Sequence, residues 1–120
     1  MPTLKIGLVD LVCKGPTNTL WARIMHANLA SIMPQVIATW CEQEGHEVTL
    51  ICYTGQEDLN RELPKGLDLV FISSFTQAAL LAYAVSNFLR SQGVVTVLGG
   101  PHARCYPDDA IQYFDYVLGF

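Results

Sequence analysis

Charge is scarce in this chain of 120 residues, where charged side chains make up 15% against 51% hydrophobic, and lysine and arginine together number only 7. The basic residues form no cluster and the formal net charge is −4, so nothing resembles the electrostatic footprint of a nucleic-acid or anionic-membrane surface. No apolar run approaches the roughly 20 residues that a bilayer-crossing helix needs. The apolar start carries one lysine and is interrupted by Asp10, a poor pattern for a secretory leader. The four cysteines, Cys13, Cys41, Cys52 and Cys105, show no C-x-x-C pair and no repeat spacing. That argues against a zinc or disulfide framework and for unbridged thiols in a reducing, cytoplasmic setting. Repeats, linkers and low-complexity segments are missing as well. The length is that of one domain, able to bury roughly two-thirds of its unfolded surface.

Against these absences stands a regular alternation of elements. Leu4–Val9, Glu47–Cys52, Asp68–Ile72, Val94–Leu98 and Tyr116–Leu118 are short apolar runs of strand type. Between them, "MPQVIATWCEQEG" opens with Pro34 in a first-turn position and closes on Gly45, as a helix does. "TQAALLAYAVSNFLRSQG" has helical spacing and closes on Gly93. Pro107, Asp108 and Asp109 open a short helix, their acids complementing its dipole. Two helical turns fit between Gln56 and Leu63, and Leu20–Ser31 has helical character. Trp21 and Trp40 fall in helical patterns and are expected in the core. Alternating strands and helices predict an α/β, flavodoxin-like (Rossmann-like), doubly wound parallel sheet of five strands. The expected order is 2-1-3-4-5, without the helix that ordinarily follows the last strand.

Ligands of such sheets bind past the carboxyl ends of the strands, beside the switch point between strands one and three. Three loops meet there, and each is chemically odd. From Asp10 to Met33 the connection far exceeds the usual 2–6 residues or so of a strand-to-helix loop. "SSFT", Ser73 to Thr76, supplies hydroxyls at a helix start. Gly99-Gly100 bares the backbone just before Pro101 and His102. A P-loop (G-x-x-x-x-G-K-[ST]) and a G-x-G-x-x-G fingerprint are both absent. Ser73 stands where a phosphoryl-transfer receiver would carry an acid, and the hydroxyl-rich phosphate loop of a flavodoxin is missing after Val9.

"LVDLVCKG", "MPQVIATWCEQEGHEVTLI", "DLVFISSFT" and "VLGGPHARCYPDDAIQYFDYVLGF" together resemble the cobalamin-binding domain that precedes a radical S-adenosylmethionine (SAM) domain. The likeness spans residues 1–120. The family pattern is Asp-x-His-x-x-Gly, then Ser-x-Leu, then Gly-Gly, in these same three loops. Asp10 and Gly15 stand in register with it, Val12 replaces the histidine, and Phe75 replaces the leucine after Ser73. The resemblance implies cobalamin as the cofactor, held base-off and without a histidine beneath cobalt. Its binding residues would be Asp10, Val12, Gly15, Ser73, Ser74, Phe75, Thr76, Gly99, Gly100, Pro101 and His102. Ser73 would bond the nucleotide tail, Ser74 and Thr76 would cap a helix or bond the nucleotide, and the glycines would open a slot for the tail. His102 reads first as a turn-stabilising or tail-contacting donor. No residue here is expected to ligate the metal or to be catalytic.

The resemblance also implies a partner. The cysteines do not supply the closely spaced set that holds an iron–sulfur cluster. The cluster and SAM therefore belong to a downstream domain, in cis or in trans, with methyl transfer or rearrangement as the joint reaction. The bare sheet face left by a missing final helix predicts self-association or cover by such a segment. Two alternatives stay open: a module of the same fold that has lost the cofactor and serves substrate recognition or dimerisation, and a small hydrolase using Cys13 or Cys105 with His102.

Overall fold

The computed structural model describes residues 3–11, 32–55 and 58–118. Val12, Cys13, Gly15, Trp21, His26 and the expected helix Leu20–Ser31 lie outside the described residues. Five parallel strands, β1 (Lys5–Leu11), β2 (Glu47–Tyr53), β3 (Leu69–Ser73), β4 (Val95–Gly99) and β5 (Tyr116–Val117), form one sheet. Their order is β2-β1-β3-β4-β5, the doubly wound arrangement expected of the sequence. β1 is buried along all but its first residue, as a central parallel strand covered on both faces must be.

The helices are α1 (Ile32–Gln43), α2 (Leu59–Glu62), α3 (Ala79–Ser91), α4 (Pro101–Cys105) and α5 (Pro107–Ala110). The two long helices stop for the same physical reason. After α1, Gly45 takes a φ of 89°, its N–H donates to Glu42 O, and His46 N–H donates to Cys41 O. After α3, Gly93 takes a φ of 82°, with bonds from Gly93 N–H to Arg90 O and from Val94 N–H to Leu89 O. Both are Schellman terminations, which a residue without Cβ adopts at least cost. The room for two turns after Gln56 holds only α2, whose first turn is capped by Asp58 Oδ1 accepting from Asn60 N–H at 3.1 Å. Beyond β4 the chain does more than turn: Pro101 begins α4, a helix the sequence reading does not contain.

The sheet divides the interior. On one face α3 presents Ala79, Ala82, Tyr83, Ser86 and Leu89 at helical spacing toward Val70, Ile72 and Leu98. On the other, α1 meets Ile6 and Leu8 through Ala38, with Ile37, Cys41, Leu69 and Phe71 only partly buried. Trp40 is 57% exposed, contrary to the core position expected for it, because α1 turns Ile37, Ala38 and Cys41 to the sheet instead. No disulfide involves Cys41, Cys52 or Cys105. Among the described residues no helix is long and apolar enough to cross a membrane.

Candidate functional site

Parallel register brings the strand ends from which the three odd loops start together at the carboxyl edge. Asp10 pairs laterally with Ser73, and Ser73 with Gly99, so these residues form one row across β1, β3 and β4. Successive residues of a strand face opposite sides. The row therefore lies on the side of Leu8, Phe71 and Val97, which is the α1 side. Asp10 is 3% exposed there and engaged in interactions of its own.

In front of this row runs an apolar groove enclosing about 320 Å³ of empty space, its open mouth included. Leu8, Phe71 and Val97 line its sheet side, Met33, Pro34 and Ile37 its helix side, and Leu118 one margin. Ser73, Gly99 and Gly100 close the carboxyl end. Among the described residues no charged side chain lines it. Most of that space is open to solvent, so the groove is a shallow apolar surface with the Ser73 hydroxyl at one end.

The two glycines are not equivalent. Gly99 ends β4 in strand conformation, and its missing side chain widens the groove. Gly100 has a φ of 94°, and a Cβ there would lie 3.1 Å from Ser73 Oγ, 3.1 Å from Ser74 O and 3.2 Å from Ser74 N. Glycine at 100 is thus required by the chain's own neighbouring strand, independently of any ligand.

Ser74 is built into the frame. Its N–H donates to Gly99 O at 3.3 Å, and its carbonyl accepts from His102 N–H at 3.1 Å. Its hydroxyl donates to Phe75 O at 2.7 Å. Neither Ser74 nor Thr76 caps a helix, because the N-cap of the turn Thr76–Ala78 is Phe75 and that of α3 is Ala78, and neither makes a side-chain cap bond. Phe75 is 53% exposed and Pro101 is exposed at the first turn of α4.

His102 faces away from the groove, into the α3 side of the sheet, and is 4% exposed. Its Nε2 lies 2.7 Å from Tyr83 Oη, and Tyr83 Oη donates to Asp109 Oδ2 at 2.6 Å. Since the phenol has one proton and gives it to the carboxylate, Nε2–H must be the donor to Tyr83. Thr76 Oγ1 stands 3.4 Å from Nδ1. Burial and the bond to Asp109 push the Tyr83 phenol up to about 12. Of the two roles read for His102, turn stabilisation is the one its contacts serve. The link of Tyr83 and Asp109 to His102 escaped the sequence reading: they stand 19 and 7 positions from it, and no local pattern joins the three.

No group of three or more His, Cys, Asp or Glu able to hold a metal occurs among the described residues. Compared with known proteins, the chain matches no family model and no curated protein.

Proposed function

We propose that this chain is a cobalamin-binding module that holds the cofactor base-off and offers it to a radical SAM domain. The observation that carries the reading is the row Asp10–Ser73–Gly99 at the switch point of a 2-1-3-4-5 sheet, with Ser73 and Gly99 at the carboxyl end of an apolar groove. The groove is lined by apolar side chains, which suits the apolar faces of a dimethylbenzimidazole, and Ser73 offers that ring or its ribose a hydroxyl. Gly99 leaves room at the carboxyl end for the tail to enter. Asp10 stands on the same row, at the end of β1. When bound, the corrin cobalt supplies the methyl-carrying or rearrangement chemistry. The residues of this chain bind, orient and shield it, and the catalytic radical belongs to the partner.

Reconstitution with hydroxocobalamin, followed by desalting, tests the reading. The expected result is one equivalent of retained corrin absorbance per chain, and electron paramagnetic resonance of the reduced cob(II)alamin form without nitrogen splitting from an axial base. Absence of retained colour rejects the module, and such splitting rejects the base-off arrangement. Gly99→Val, which places a branched side chain in the groove, is expected to abolish retention while the chain remains folded.

A further inference from the structure

Two residues remote from the groove are joined to its closing turn by an unbroken set of hydrogen bonds. The Gly99–Gly100 turn is fastened to the end of β3 by Ser74 N–H to Gly99 O at 3.3 Å and His102 N–H to Ser74 O at 3.1 Å. Both are backbone bonds at the upper end of ordinary length, and α4 has only five residues, Pro101–Cys105, to hold itself in place. α4 is anchored by the buried ring of His102 together with Ala103, which is 0% exposed in the core. The imidazole is gripped from α3 by Tyr83 at 2.7 Å, and Tyr83 is itself fixed by Asp109 of α5 at 2.6 Å. The phenol ring is further stacked on Tyr113, with centroids 4.2 Å apart and planes at 11°.

We infer that Tyr83 and Asp109 are positioning residues of the groove, acting through His102 to set where the Gly99–Gly100 turn lies against Ser73 and Ser74. Neither touches the groove. Their effect reaches it because His102 N–H is bonded to Ser74 O, and because Gly100 packs so close to Ser73 and Ser74 that an added Cβ would stand only 3.1–3.2 Å from them. A displaced α4 therefore carries the turn, and Gly99 with it, relative to β3. The consequence for cobalamin rests on the functional reading above, whereas the consequence for the turn does not.

Tyr83→Phe keeps the ring and its stack while removing the hydroxyl that links His102 to Asp109. In ¹⁵N-resolved spectra the parent should show the Nε2–H tautomer of His102. The variant should lose that single tautomer, shift the amides of Ser74, Gly99 and Gly100, and speed their hydrogen exchange. Asp109→Ala should reproduce these changes, and Asp109→Asn, which retains an acceptor oxygen, should largely reverse them. Cobalamin retention should weaken roughly tenfold in Tyr83→Phe, the effect of one lost buried hydrogen bond. Unchanged tautomer and unchanged amides at Gly99 and Gly100 in a folded Tyr83→Phe protein overturn the inference. If the parent retains no cobalamin, the functional reading fails, and the amide and tautomer measurements still decide the positioning role.

Discussion

The two faces of the sheet are made from the same strands and end up as different materials. On the α3 face the core is closed: Val70, Ile72, Ala82 and Leu98 are at most 1% exposed, and the polar groups among them are paired internally. Ser86 Oγ lies 2.8 Å from Thr96 Oγ1 and donates to Tyr113 O at 2.5 Å, while His102 is held between Tyr83 and Thr76. On the α1 face, Ile6, Leu8 and Ala38 are buried, but Phe71 and Leu69 are half-covered and Leu118 is 45% exposed. One face spends its hydroxyls and its imidazole on internal bonds. The other brings the Ser73 hydroxyl and two glycines to the end of an apolar groove. Close packing with satisfied polar groups supports stability, and an apolar groove with a few convergent polar groups supports binding. The carboxyl edge of this sheet holds both, back to back.

The largest expected effect tests that division. Leu98→Ala, on the closed face and 0% exposed, should cost about 2–5 kcal/mol in denaturant unfolding, since the surroundings cannot collapse around the cavity. Ile37→Ala, in the half-buried wall of the groove, should cost about 1 kcal/mol or less. Equal costs at the two positions would mean that the α1 face is as tightly packed as the other.

The adjacent glycines set the same contrast within two residues. Gly100→Ala places a Cβ against backbone at a φ of 94° and should lower stability by about 1–3 kcal/mol. Gly99→Ala, in strand conformation, should change stability by less than about 1 kcal/mol and show its effect in ligand retention. Equal thermal stability of the two variants would show that Gly100 has room the geometry denies it.

A third expectation depends on pH. Tyr83 ionises near 12 in the folded protein and near 10 when unfolded. Its folded pKa is raised, so its contribution to stability is complete below pH 10 and is lost as pH rises from 10 toward 12. Urea midpoints measured from pH 9 to 11.5 should fall more steeply for the parent than for Tyr83→Phe. Parallel pH profiles would remove the phenol from the closed face's hydrogen-bonded network.

Much of this was legible in the chain itself, and what was not has a physical reason. The five strands, their order, and the closing glycines Gly45 and Gly93 follow from period, length and the need for a positive φ, all of which are local or follow from the crossover rule. The convergence of Asp10, Ser73 and Gly99 follows from strand order alone. The separate duties of Gly99 and Gly100 did not show, because sequence records that a Cβ is missing but not which neighbour it would meet. Nor did the burial of His102 against Tyr83 and Asp109, a contact among α3, α4 and α5 that depends on how three helices pack. Trp40 misled for a related reason: a helical pattern shows an apolar residue without showing which side of α1 meets the sheet.

The smallest effect lies at the edge strand, where the contrast between faces can be sharpened. β5 has two residues and pairs only with β4. Its approach is secured by reciprocal bonds, Asp115 N–H to Thr96 O at 3.1 Å and Thr96 N–H to Asp115 Oδ2 at 2.9 Å. Beyond β5, Leu118 remains 45% exposed at the groove margin. Arg90 approaches the other oxygen, Asp115 Oδ1, at 3.6 Å, with the two side chains 40% and 33% exposed. At that distance and exposure the pair is screened by water and salt, and Arg90→Gln should cost between about 0 and 1 kcal/mol. The difference should shrink further in 1 M salt, where screening acts over about 3 Å. The Thr96 bond does not involve Arg90 and should persist, so slow exchange of the Thr96 amide is expected in both proteins. A loss beyond that range, or a Thr96 amide that exchanges freely in Arg90→Gln, would mean that Arg90 orients the carboxylate, and that β5 is held through the charge pair rather than through Thr96.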